Sequence, residues 1–157
     1  MRFVPRLIFL LTMNLLAAQP DHAGFERLKT LLAGRWHFVE EGKSYDATFE
    51  EVSHGQALLE RNSGYVAIYH ADGASLMMTL YTRDGNQPRF RATPLNKTAQ
   101  SIRFQFVDVT NWKQGTERMN GPVITFKDKD HLEEEWETLH PDGTKTRFAF
   151  ELVRAGQ

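Results

Sequence analysis

The chain contains no cysteine. Disulfides, thiolate nucleophiles and cysteine-ligated zinc or iron–sulfur centres are therefore excluded. A cysteine-free exported chain must rely on core packing alone. An excess of one charge is also missing. Nineteen Lys and Arg stand against 20 Asp and Glu, with no basic run, which argues against a general nucleic-acid binder. No apolar run is long enough to span a membrane. Seryl nucleophile elbows, glycine-rich phosphate loops and dinucleotide fingerprints are absent. The six histidines form neither a helical HxxxH nor a strand HxH pattern, so no metal site is expected. No cofactor is implied either.

What remains is an ordinary globular composition, 41% hydrophobic and 25% charged, in a chain long enough for one domain. Residues 1–19 read as a secretory signal. Arg2 and Arg6 give a positive start, Leu7 to Leu16 a short apolar run, and Ala17-Ala18-Gln19 a small-residue exit. The expectation is an exported protein, periplasmic or secreted, whose mature start lies between Gln19 and Gly24. Residues 20–157 then form a single domain.

Residues 22–33 predict a short amphipathic helix. Phe25, Leu28, Leu31 and Leu32 recur at helical spacing, Asp21 can cap the start, and Gly34 suits the stop. From there the period changes to two. Strands are expected over about Arg35–Glu41, Ser44–Val52, Gln56–Ser63, Tyr65–His70, Ser75–Thr82, Arg89–Pro94, Ser101–Val107, Val123–Lys127, Leu132–Leu139 and Thr144–Val153. Turn chemistry separates them, including Asn96-Lys97. The one long connection is Asp108–Asn120. Regularly spaced short strands after one helix predict an all-β fold. It is a roughly ten-stranded antiparallel meander that closes into a barrel and so hides its edges.

Register follows from the turns. Three-residue loops closed by glycine sort the side chains best. At Arg83-Asp84-Gly85 and Pro141-Asp142-Gly143 such loops place Leu76, Met78 and Leu80 beside Phe90 and Ala92. They also pair Trp136 with Phe148 and Glu134 with Phe150. The same loop at Ala71-Asp72-Gly73 would turn Val66, Ile68 and His70 inward and Tyr65 and Tyr69 outward.

Leu32-Ala33-Gly34-Arg35-Trp36 is a Gly-x-Trp opening. It resembles the opening of lipocalins and the wider calycin group, which includes nitrobindin-like haem barrels. The mature chain also resembles secreted bacterial barrel domains of unknown function. The resembling stretches are Tyr69-His70-Ala71-Asp72-Gly73, Gly85-Asn86-Gln87-Pro88-Arg89, Phe106-Val107-Asp108-Val109-Thr110-Asn111 and Glu134-Glu135-Trp136. The resemblance implies a barrel and, as in calycins, a late Arg paired with the opening Trp. Arg154 is expected to stack on Trp36 and seal the floor.

The leading functional expectation is non-catalytic binding of a small apolar or amphipathic molecule. Met78, Leu80, Phe90, Phe104 and Glu134 would line the interior. Strand directions put Asn86, Gln87, Asp108, Asn111 and Trp112 at the entrance, with Arg118 on the same long loop. Glu134 faces inward and needs a partner, with Arg91, Arg103 and Arg147 as candidates. Three alternatives stand beside this. One is a hydrolase- or isomerase-like enzyme using Glu134, His70 and Tyr81. The others are a haem-binding barrel and a filled-core interaction module.

Overall fold

The computed structural model describes residues 22–73, 75–92 and 98–156. The signal-like segment 1–19, the cap Asp21 and the Asn96-Lys97 turn lie outside the described residues. One helix, α1 (His22–Leu32), precedes ten strands. They are β1 (Gly34–Glu40), β2 (Lys43–Val52), β3 (Ala57–Arg61), β4 (Tyr65–Asp72) and β5 (Ser75–Thr82), then β6 (Gln87–Ala92), β7 (Ser101–Thr110), β8 (Arg118–Phe126), β9 (His131–Leu139) and β10 (Lys145–Arg154). Each strand pairs antiparallel with its sequence neighbours, and β10 returns to β1 to close the barrel. The expected fold class is observed.

Alternation decides the interior. β6 and β9 bury every second residue, as a barrel wall with one wet face must. The core cluster includes Met78, Leu80, Phe90, Phe104, Ile124 and Trp136. Phe25, Leu28 and Leu32 of α1 join the same cluster, so the apolar stripe of the helix is spent on the barrel. The Trp36 indole N–H donates to the Leu32 carbonyl over 2.8 Å. Lys29 donates to the Gly55 carbonyl in the β2–β3 turn, and Arg27 to Ala99 ahead of β7. These contacts fasten the helix across one end, the floor. The turns after β1, β3, β5, β7 and β9 lie at the opposite end, the mouth.

The floor carries the Trp–Arg pair. Trp36 is the Cα partner of Arg154, and the guanidinium carbon lies 4.2 Å from the indole ring centre. The same guanidinium donates to the carbonyls of Leu31 and Ala33, the unpaired acceptors of a helix C-terminus. Gly34 explains the Gly-x-Trp spacing. It sits at φ +125°, and a Cβ there would come within 3.0 Å of Arg154 Nη1.

Two hairpins have the expected register. Thr82 donates to Asn86 across Arg83-Asp84-Gly85, which pairs Met78 with Phe90. Trp136 pairs with Phe148, and Glu134 with Phe150. The β4–β5 hairpin is different. Asp72 pairs with Ser75, so only residues 73 and 74 connect the strands, and Tyr69 meets Met78 and Ala67 meets Leu80. β4 is therefore turned over relative to the expectation. Tyr65, Ala67 and Tyr69 face inward, and Val66, Ile68 and His70 face away from the core. The loop Asp108–Asn120 is also shorter than expected. β7 continues to Thr110 by pairing Asp108 with Arg89 and Val109 with Pro88, and β8 begins at Arg118.

Two seams are short. β1 meets β10 through only Trp36, His37 and Phe38. β7 meets β8 only at Ser101, Ile102 and Arg103. Toward the mouth no further residue pairs are in register across either seam.

Candidate functional site

Turning β4 over brings two phenols into the barrel, where they meet two carboxyls. Glu60 on β3 is fully buried and Glu134 on β9 nearly so. Glu60 pairs with Phe49 on one side and Ala67 on the other, which fixes it on the inner face. The Tyr65 hydroxyl donates to Glu60 Oε1 and the Tyr69 hydroxyl to Glu60 Oε2, each over 2.6 Å. Tyr65 also lies 3.4 Å from Glu134 Oε2. That oxygen accepts from the Trp136 indole as well, over 3.2 Å. Glu134 Oε1 is buried and has no partner among the described residues.

The expected arginine partner for Glu134 is not there. Arg147 bonds Glu137 on the outer face, and Arg91 and Arg103 are exposed. Two carboxyls in an apolar interior resist ionisation, because burial removes water and no cation among the described residues offsets either. Burial pushes Glu60 up to about 7, against the opposing pull of the two phenol hydrogen bonds. Burial and the Glu60 charge push Glu134 up to about 8. Burial and both carboxylates hold Tyr65 and Tyr69 far above the usual phenol range. Both oxygens of Glu60 receive phenol hydrogens, which oppose the effect of burial there by favouring its ionised form.

Above this network the mouth opens into a hollow of about 390 Å³. Tyr65, Leu80, Met119 and Thr138 form its walls, with Asn86 and Arg118 also lining it. Tyr65 is thus shared: it lines the hollow while its hydroxyl holds the carboxyl pair. A second hollow of about 350 Å³ lies beside the first, between the β7–β8 and β9–β10 loops, and includes Trp112, Leu139 and His140. Arg118 lines both.

Only some of the expected lining residues reach this space. Leu80 and Asn86 do. Met78, Phe90, Phe104 and Glu134 are packed into the core, so the interior at their level is filled by side chains. Gln87 accepts a hydrogen bond from Thr110 at the β6–β7 edge. Asp108 pairs with Arg89, which holds its carboxyl below the usual range, and it lines neither hollow. Asn111 is exposed in the left-handed region at φ 55°. Trp112 lines the second hollow. Glu134, His70 and Tyr81 do not converge, because Glu134 points inward while His70 and Tyr81 lie on the opposite face of their strands.

Glu60, Tyr65 and Tyr69 were not among the expected site residues. The available signal was the inward row of β3, Leu58-x-Glu60, which puts a second carboxyl on the apolar face. Among the described residues no group of three or more His, Asp or Glu side chains could hold a metal ion. No protein-family model matches the chain, and no curated protein matches it.

Proposed function

We propose that this protein is a non-catalytic binder of a small amphipathic molecule, held at the barrel mouth rather than deep in the barrel. The observation that carries this reading is the hollow of about 390 Å³ walled by Tyr65, Leu80 and Met119. Its size falls within the range typical of small-molecule sites, and its lining sets Tyr65, Leu80 and Met119 beside polar and charged residues that include Arg83, Asp84, Glu117 and Arg118, a mixture suited to an amphipathic molecule. The closed antiparallel barrel with a helix-sealed floor is consistent with a calycin-like barrel. The Gly34-Arg35-Trp36 opening supports reading it as a lipocalin-like carrier. The carboxyl pair then serves as a rigid polar base for the hollow, holding the Tyr65 ring in place.

The test is titration of Nile red, a neutral environment-sensitive dye, into wild type and Leu80→Trp. Wild type should bind the dye with a blue-shifted emission. The variant, with the hollow filled, should fold and take up little. Equal uptake by both proteins would remove the hollow as the site.

Export is part of the same proposal, supported by the pattern of Arg2, Arg6, Leu7–Leu16 and Ala17-Ala18. Intact-mass measurement on protein from its own host should show a start between Gln19 and Gly24. A soluble product that retains Met1 would refute it.

A further inference from the structure

Arg118 is the cation between the two hollows, and its bonding is lopsided. Nη1 donates to Asn120 Oδ1 over 3.1 Å and lies 3.4 Å from the Met119 carbonyl. Nε and Nη2 bond no other described residue. The guanidinium carbon sits 3.6 Å from the centre of the Phe106 ring, which fixes the plane of the group. Loss of water lowers its affinity for its proton, and no carboxylate among the described residues pairs with it. Of the nearby acids, Glu117 and Asp84 also line the first hollow, but both are exposed. Glu117 pairs with His140, and Glu137 is held by Lys145, Arg147 and Asn120. Asp84 is exposed in the β5–β6 turn.

A half-buried guanidinium with one corner pinned and its Nε–Nη2 edge free presents two parallel N–H donors, the geometry that fits a carboxylate bidentately. Trp112 lines the second hollow together with Arg118, and its buried indole N–H has no acceptor among the described residues. On the other side are Leu80, Met119 and the Tyr65 ring, an apolar wall. We propose that the ligand is an amphipathic carboxylate. Its head takes the free edge of Arg118, with the Trp112 N–H as a further donor, and its chain lies against Leu80 and Met119 in the first hollow. This rests on the proposed function and adds the chemical class of the head group.

Calorimetric titration of decanoate and of decanol into the full-length folded protein tests it. The two probes share a chain and differ in the head. Wild type should bind decanoate roughly tenfold or more tightly than decanol, the range of a charge-assisted bidentate pair. Arg118→Gln should lose that preference while still binding decanol, and Trp112→Phe should reduce it. Equal binding of the two probes by wild type, or an undiminished preference in folded Arg118→Gln, overturns the assignment. If Nile red still binds in that case, the mouth remains a ligand site with a different head-group chemistry. If neither decanoate, decanol nor Nile red binds, both readings fall. Should Arg118→Gln fail to fold, the wild-type comparison decides alone.

Discussion

The Arg154 guanidinium sits 4.2 Å from the Trp36 ring centre while donating to two carbonyls at the end of α1. One side chain therefore joins the last strand, the first strand and the helix. Arg154→Ala should lower unfolding free energy by about 2–3 kcal/mol, combining a partly desolvated cation–π contact with lost bonds to a helix C-terminus. Arg154→Lys should recover only part of this, since an ammonium cannot stack and fork together. Urea titration measures both. An alanine variant as stable as wild type would show that the contact adds nothing.

The carboxyl pair sets the pH dependence. Glu60 and Glu134 are raised from 4.5 to about 7 and about 8, so the folded state holds protons that the unfolded chain releases. Their contribution is complete below about pH 4.5 and is lost as pH rises through those two values. Stability should therefore fall, on the order of a few kcal/mol, between about pH 5 and about pH 9. Glu134→Gln, which cannot ionise, should flatten much of that slope. Denaturation midpoints across the range provide the check, and a wild-type curve that rises with pH would contradict the assignment.

Glu137 works in the opposite direction. Lys145, Asn120 and Arg147 lower it to about 2. Its contribution is present above its unfolded value of 4.5 and disappears as pH falls through about 2. Glu137→Gln should cost about 1 kcal/mol at neutral pH, typical of a surface network. That difference should vanish in strong acid.

Gly121 is held at φ +122°, and a Cβ built on it would lie 2.1 Å from the Phe104 carbonyl oxygen. Backbone, not a flexible side chain, blocks the space. Gly121→Ala should destabilise by more than about 3 kcal/mol or prevent folding, through strain and overpacking together. Gly42→Ala is the control. It has a positive φ but open space around it, so it should cost only about 1 kcal/mol. Similar losses at the two positions would rule out the close approach as the cause.

Tyr69→Phe removes one of the two phenol donors to Glu60. A loss of about 1–2 kcal/mol is expected, with Glu60 becoming still harder to ionise. The pH dependence of stability in the variant should therefore extend to higher pH than in wild type. An unshifted profile would mean that Tyr69 does not tune the pair.

The barrel was legible because its signals are redundant. Ten runs of period two, glycine-closed turns at Arg83-Asp84-Gly85 and Pro141-Asp142-Gly143, and one helix leave few other ways to bury the apolar rows. The carboxyl–phenol network was not legible, for a local reason. Val66-x-Ile68 and Tyr65-x-Ala67-x-Tyr69 can each serve as a buried row, and the side-chain pattern alone does not choose between them. The choice rests on a two-residue connection at 73 and 74, where the Asp-Gly pair had suggested a longer loop. One change of parity moved two hydroxyls from solvent to core and gave Glu60 its donors. The shared role of Arg118 was hidden differently: it depends on loops folding back from separate hairpins, and strand periodicity carries no information about that.

The three-pair seam between β1 and β10 bears on how the chain folds. Every other neighbouring pair of strands is joined by a local connection and can zip up as a hairpin, but β1 must wait for a partner from the far end of the domain. Its few backbone bonds can offset the entropy of closing so long a loop only once the intervening wall is in place. Closure is thus expected as a late event, with a curled, open sheet exposing Phe38 and Leu152 before it. Residues Leu152–Arg154, a small part of the chain, determine whether that sheet becomes a ring.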